Sequence, residues 1–154
     1  MNEQSCEFPL SNATDHEIDE ILATARTIAV VGLSDKPARD SYRVAAYLQA
    51  HGFRIVPVNP AAGSILGERS YPDLASIPAD VAVDVVDVFR KPEFVPAVVD
   101  AAIARGASTV WMQFGIAHNA AADRARAAGL HVVMDRCIKV EHARWAAAGG
   151  TRHA

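Results

Sequence analysis

Thr27-Ile28-Ala29-Val30-Val31-Gly32-Leu33-Ser34 is the stretch on which the fold turns. Its first five residues form a near-continuous apolar run with no alternating polar face, which describes a strand covered on both sides and hence a parallel sheet between helical layers. Gly32 ends the run where the chain must turn. Just beyond, Ser41 is placed to cap a helix over Tyr42 to His51, with Val44, Ala45 and Leu48 at helical spacing and Gly52 as the stop. One strand and one helix make a βα unit, and the pattern then repeats.

Upstream, Thr14-Asp15-His16-Glu17 is a capping-box signature that predicts a short helix from about Asp15 to Ala25, packed on the sheet edge. Downstream, Phe53 to Val58 reads as a second strand, with Pro57 near its end because proline cannot donate to a ladder. Residues 61–79 form a longer connection, with a short strand near Ser70-Tyr71 and a helical turn at Leu74 to Ile77. Val81 to Phe89, Thr109 to Gln113 and Leu130 to Met134 read as the third, fourth and fifth strands. Helices over Glu93 to Arg105, Ala117 to Ala128 and Ile138 to Trp145 follow them, and residues 146–154 read as a frayed tail. The expectation is one domain over 1–154 with its core at 14–145: an α/β, Rossmann-like, doubly wound, five-stranded parallel sheet of strand order 3-2-1-4-5. Ligands then bind beyond the carboxyl ends of the strands, at the switch point between strands one and four.

At 154 residues, 51% of them hydrophobic, the chain can bury one sizeable core, and its net charge of −3 gives no general attraction to nucleic acid or an anionic membrane. The segment Met1 to Leu10 carries Glu3 and Glu7 and has no apolar signal-like run, and no stretch has the length of a membrane span, so a cytoplasmic protein is expected. Cys6 and Cys137 form no CxxC pair, and the six histidines have no compact metal-ligand spacing, so neither a disulfide framework nor a metal site is expected.

The strand assignments carry Lys36, Arg39, Arg90, Lys91, Arg136 and Lys139 to one edge. Six of the fifteen basic residues of an acidic chain thus gather where ligands bind, an arrangement suited to a polyanionic small molecule. Gly32, Leu33 and Ser34 let the backbone turn closely, and the helix near Ser41 offers free N–H groups to a phosphate. The dinucleotide fingerprint G-x-G-x-x-G is incomplete, since Ser34 and Pro37 stand where its second and third glycines belong. The acidic residue that binds the NAD ribose is also missing, because the second strand finishes Pro57-Val58-Asn59. These absences disfavour NAD and tolerate a nucleotide whose ribose carries a phosphate, coenzyme A (CoA) or NADP.

Val31-Gly32-Leu33-Ser34, Arg39-Asp40-Ser41, Pro57-Val58-Asn59-Pro60, Phe89-Arg90, Trp111-Met112-Gln113-Phe114-Gly115 and Asp135-Arg136-Cys137 together resemble the stand-alone CoA-binding-domain proteins. The resemblance runs from about Thr14 to Trp145 and extends to the N-terminal domain of the succinyl-CoA synthetase alpha subunit. It implies that Gly32 to Ser34 and Asn59-Pro60 border the nucleotide and phosphates, and that Val88, Phe89 and Arg90 flank the adenosine end. Leu33-Ser34-Asp35 replaces a glycine-rich turn, and Ala61-Ala62 stands where a synthetase has lysine, so phosphate contacts are expected to shift to Lys36, Arg39 and Arg90. The synthetase's phosphorylated histidine belongs to a further domain, which argues against ligase chemistry here.

Cys137 sits beside Arg136 and near Lys139, cations that favour the thiolate, so it is a candidate for a mixed disulfide with CoA; packing is its other reading. Asp84 and Asp87 fall on opposite strand faces and read as structural. His118 reads as a local hydrogen-bond partner, and Ser34 lacks the G-x-S-x-G elbow of a nucleophile. Gln113 and Gly115 are the ligand-facing candidates of the fourth strand. The expected binding set is therefore Gly32, Leu33, Ser34, Lys36, Arg39, Asn59, Pro60, Val88, Phe89, Arg90, Gln113, Gly115, Arg136 and Cys137. The expected ligand is CoA or an acyl-CoA, with no catalytic residues, no nucleic acid, no membrane and an unknown protein partner. The competing readings are a small NAD(P)-dependent oxidoreductase and a CoA-binding module docked on a larger acyl-CoA enzyme.

Overall fold

The computed structural model describes residues 7–153, so Cys6 and most of the Met1 to Leu10 segment lie outside the described residues. Along the chain run α1 (Asp15–Thr24), β1 (Thr27–Val31), α2 (Asp40–Ala50), β2 (Arg54–Val58), β3 (Ser64–Ile65), β4 (Glu68–Arg69) and β5 (Val85–Val88). These are followed by α3 (Val95–Arg105), β6 (Thr109–Met112), α4 (Asn119–Ala127), β7 (His131–Val133) and α5 (Ile138–Ala147). Five strands form one parallel sheet in the order β2-β1-β5-β6-β7, while β3 and β4 are a separate antiparallel hairpin within the long connection.

The fold class is the expected Rossmann-like α/β one, with a difference in strand order. Counted along the chain, the five strands stand 2-1-3-4-5, so the third lies beside the first rather than outside the second. The position outside β2 is taken by Tyr71, which makes a one-residue parallel bridge to Val58. Counting that bridge as a strand would give 3-2-1-4-5-6. The switch point accordingly lies between β1 and β5. Pro57 is tolerated because its backbone faces this outer edge: its carbonyl accepts from the Tyr71 N–H, and no ladder bond to β1 needs its missing donor.

Every residue of β1, β5 and β6 is buried, as a sheet covered on both faces requires. Ala29, Val31, Val86, Val88, Val110 and Met112 pack with Val95 and Val99 of α3 and Ala121, Ala122 and Ala125 of α4. The alternate residues Ile28, Val30, Val85 and Trp111 pack on the other face with Ile18 and Leu22 of α1, Val44 and Leu48 of α2, and Ile138 and Trp145 of α5. α1 therefore belongs to this second layer rather than to the sheet edge. Its capping box forms as expected, with Thr14 Oγ1 accepting from the Glu17 N–H. Among the described residues, no helix is long and apolar enough to cross a membrane.

Two local expectations are corrected. Ser41 does not cap α2, which begins two residues earlier than expected, at Asp40 behind Arg39; its hydroxyl instead accepts from the Ser34 N–H at 3.0 Å. Residues 146–153 are not the frayed tail expected; Ala154 lies outside the described residues. α5 continues to Ala147, and Arg152 donates to the Ala25 and Gly52 carbonyls at 2.7 and 2.9 Å while stacking over Phe53. The His153 N–H adds a bond to the Ala23 carbonyl.

The tail closes over His142, which is buried between Phe53, His51 and Trp145, with its Nδ1 2.9 Å from the Tyr47 hydroxyl. Burial, then the neighbouring His51 and Arg152, holds its pKa below the ordinary imidazole value of about 6.5. As pH falls through that value the unfolded chain takes up a proton that the folded one refuses, so stability falls with pH there. The thermal midpoint is expected to drop between about pH 7 and 5. His142→Phe should flatten that slope, and an unchanged slope in differential scanning calorimetry would remove His142 as its source.

Candidate functional site

Gly32 occupies the carboxyl end of β1 with φ +86°, a conformation natural to glycine. A Cβ built on it would stand 2.5 Å from the Phe89 carbonyl oxygen and 3.1 Å from Arg90 Cδ, so the ends of β1 and β5 approach as closely as glycine allows. Its N–H donates to the Val58 carbonyl, and the Asn59 amide donates to the Leu33 carbonyl at 2.9 Å. These bonds tie the β1 and β2 ends, and the Phe89 N–H, donating to the Val31 carbonyl, joins the β5 end to the same floor.

Around that floor lie three adjoining depressions. The first, of about 450 Å³, is bounded by Gly32, Asn59, Pro60, Arg90, Leu74 and, from α3, Val98. The second, of about 470 Å³, shares Gly32 and is lined by Ser34, Lys36, Arg39 and Phe89 at the start of α2. The third, of about 360 Å³, shares Phe89 and is lined by Gln113, Phe114, Cys137, Lys139 and Val140. Shared lining residues make the three a single groove along the carboxyl edge of the sheet. A depression of about 590 Å³ at the opposite edge carries Glu17, Glu20 and Asp84 beside His16 and His131, charges that repel a polyanion.

The middle of the groove is its electropositive part. Lys36 and Arg39 are exposed there, and the first turn of α2 presents N–H groups and the positive end of its dipole. Asp40 in that turn pairs with Arg43, which removes part of its repulsion. Arg90 stacks 4.2 Å over the Phe94 ring, which fixes its guanidinium beside the first depression.

The third part is mostly uncharged and firmly held. Asp135, at φ +57°, accepts from the Gly115 N–H at 2.7 Å, its own N–H donates to the Ile116 carbonyl, and Trp111 Nε1 donates to the Arg136 carbonyl at 2.8 Å. Together these bonds lock the loops that carry Gln113 and Cys137. Behind them Asp87 is fully buried. Its Oδ1 accepts from Gln113 Nε2, while its Oδ2 has no partner. Burial pushes this carboxyl up to about 8, against the Gln113 hydrogen bond, which favours the ionised form.

Ten expected residues line the groove: Gly32, Ser34, Lys36, Arg39, Asn59, Pro60, Phe89, Arg90, Gln113 and Cys137. Four do not. Leu33 and Val88 are fully buried and point into the two cores. Gly115 stands exposed outside the groove, and Arg136 turns toward Glu141, Nη1 to Oε2 3.7 Å. Sequence reasoning missed the α3 wall of Ala97, Val98 and Ala101, whose signal was the i, i+1, i+4 spacing of one helix face. It also missed Asp73, a carboxylate delivered to the first depression by the long connection. Asp73 Oδ1 is engaged by the Ser76 N–H and hydroxyl.

A groove across the switch point of a doubly wound sheet, with cations in its middle, is the binding edge of a Rossmann-like domain. Within that class the assignment is specific: residues 26–143 match the CoA binding domain family, and the chain belongs to it. It is 40% identical over 134 residues to the uncharacterized protein YneT of Bacillus subtilis (strain 168), covering 87% of this chain and 98% of that one. A hypothetical protein of known structure from Pyrococcus horikoshii OT3 is 40% identical, with TM-score 0.83 over 94% of this chain and 98% of that one. The fold also recurs in the dinucleotide-forming acetyl-coenzyme A synthetase 1 of Ca. Korarchaeum cryptofilum. That chain is 24% identical, with TM-score 0.65, and the match covers 75% of this chain and 27% of that one.

Gly32 and Gly115 separate two penalties, because both have positive φ but a Cβ on Gly115 meets nothing within 4 Å. Gly115→Ala should cost the left-handed strain alone, about 1–2 kcal/mol. Gly32→Ala should cost clearly more, lowering the thermal midpoint by more than about 8 °C, since each kcal/mol shifts a domain of this size by about 2–4 °C. Equal midpoints would show that the β1 and β5 ends part freely.

Proposed function

We propose that the protein binds coenzyme A, free or acylated, as a carrier, sensor or redox partner and without catalysing a reaction on it. The observation that supports this reading is the sequence of environments along one groove. A cavity walled by Pro60, Leu74 and α3 suits adenosine, and the Lys36 and Arg39 segment at the start of α2 suits phosphates. The less charged cavity ending at Cys137 suits the pantetheine arm and sulfur. A flat dinucleotide would leave that last part unused, and Ser34 and Pro37 still stand where its fingerprint needs glycines.

Titration calorimetry of reduced protein with CoA, dephospho-CoA, NAD and NADP tests the reading. CoA is expected to bind selectively, and Arg39→Ala and Arg90→Ala should each weaken it on the order of tenfold, as expected for loss of one charge-assisted contact. Selective NAD or NADP binding would replace the reading with the oxidoreductase one. A stable partner enzyme recovered with the CoA-loaded protein would favour the docking-module reading.

The redox role rests on Cys137, a half-buried free thiol at the end of the groove. Its thiolate would attack CoA disulfide, forming a protein–CoA disulfide and expelling one CoA thiolate, so that no outside oxidant is consumed. Intact-mass spectrometry should then show one CoA added to the wild type and none to Cys137→Ser. An unmodified wild type would leave carriage or sensing without redox chemistry.

A further inference from the structure

Asp87 is a fully buried ionisable side chain whose burial the binding model above does not use. It sits on β5 between Val30 of β1 and Trp111 of β6, with no solvent exposure, no ion-pair partner among the described residues, and one oxygen without any hydrogen bond. Its single contact of consequence is the Gln113 amide, and that hydrogen bond is the only one the Gln113 side chain makes among the described residues. Gln113 is itself 3% exposed and lines the cavity that holds Cys137. A buried amide bonded on one side to a carboxyl and open on the other to a cavity leaves one polar group free for whatever enters.

Which group is free depends on the carboxyl. Ionised, Asp87 is an acceptor only, so it must take the Gln113 N–H and turn the amide oxygen to the cavity. Neutral, it has one O–H to place. If that proton sits on the orphaned Oδ2, a buried donor is wasted; if it points at Gln113 with the amide reversed, the carboxyl's O–H is satisfied and only a carbonyl-type oxygen remains bare. An unpaired buried acceptor is the lesser penalty. The arrangement seen, with Gln113 Nε2 on Asp87 Oδ1, is that of the ionised pair and offers the cavity an acceptor; the neutral pair reverses the amide and offers it an NH₂ donor.

We propose that Asp87 is a positioning residue whose proton decides, through the Gln113 amide, whether the cavity beside Cys137 presents a hydrogen-bond donor or an acceptor to the pantetheine arm. This rests on the CoA reading of the groove. The pantetheine amides and an acyl thioester all offer carbonyl oxygens, so the donor state is the one that holds the arm. The site then grips the arm at neutral pH, where burial keeps Asp87 protonated, and loosens on it as the carboxyl ionises near pH 8.

The other titratable groups bordering the cavity are Asp40 and Arg43 on α2, and Cys137 and Lys139 at the start of α5. Arg136 and Glu141 face each other beside it, and His142 lies deeper in α5 against Tyr47. The measurement uses Cys137→Ser protein throughout and S-methyl-CoA, so that neither the cavity nor the ligand carries a thiol.

The experiment measures the Kd of S-methyl-CoA and of adenosine 3′,5′-bisphosphate, which lacks the arm, from pH 7 to 9.5. S-methyl-CoA should weaken by about three- to tenfold across the window, as expected for one hydrogen bond, while the bisphosphate stays constant. In Asp87→Asn the new amide donates permanently to the Gln113 oxygen, so S-methyl-CoA affinity should hold at its neutral-pH level throughout. Gln113→Leu should bind S-methyl-CoA weakly at every pH with bisphosphate binding retained, which keeps the proposal testable if Asp87→Asn fails to fold. A parallel pH dependence of both ligands, or its survival in either variant, overturns the role of Asp87 and leaves the CoA reading standing. If neither ligand binds wild-type protein at pH 7, the CoA reading itself has failed.

Discussion

The closest approach of β1 and β5, where Gly32 meets the Phe89 carbonyl, is the constraint on which the rest of the groove depends. Two parallel strands whose next helices lie on opposite faces must part at their carboxyl ends, and the opening between them becomes a crevice. Here α2 leaves on one side and α3 on the other. With any side chain at position 32 the floor would have to widen, and the Leu33 carbonyl would move away from the Asn59 amide that anchors the β2 end. The first and second depressions share Gly32 for this reason: it is the hinge between the α3 wall and the cationic mouth of α2.

What was legible in the sequence follows the range of the interactions concerned. Strand and helix identities came through because burial on both faces leaves an unbroken apolar run, as in Thr27–Val31, and helical faces leave i, i+3, i+4 spacing. Strand order did not, because nothing local distinguishes a third strand outside β2 from one beside β1. That choice is made by the path of residues 59–84, whose Tyr71 fills the outer position. Ser41 looked like a cap because caps are local; its hydroxyl was taken by the Ser34 N–H, a bond of the loop that turns beneath the groove. Arg152 was unreadable in the same way, since its partners are the carbonyls of Ala25 and Gly52, set by how two loops meet.

The site divides similarly. Residues next to a strand end were placed well, because a strand end is one position in space: Gly32, Asn59, Arg90 and Gln113 all arrive at the groove. Leu33 and Val88 show the limit of that rule, since a sheet covered on both faces buries side chains on either side even where its strands end. Asp87 obeyed the alternation but not its expected environment. Its face of the sheet is closed by α2 and α5, and a carboxyl that reads as structural has no solvent exposure, so burial pushes it up to about 8.

Charge explains why a chain of net −3 can still have an anion site. At physiological ionic strength a charge is screened beyond about 8 Å, so a ligand responds to the few groups lining its path and not to the total. Lys36, Arg39 and Arg90 line the middle and one flank of the groove, whereas at the Cys137 end Arg136 is drawn off by Glu141 and Arg43 is paired with Asp40, leaving Lys139 as the cation without a carboxylate partner among the described residues. The groove thereby changes character along its length: exposed Lys36 and Arg39 where phosphates would lie, and mostly uncharged side chains around Gln113 and Cys137 where an amide-bearing arm would lie. At that second end recognition has to come from hydrogen bonds, and the Gln113 amide is the buried group with one to give.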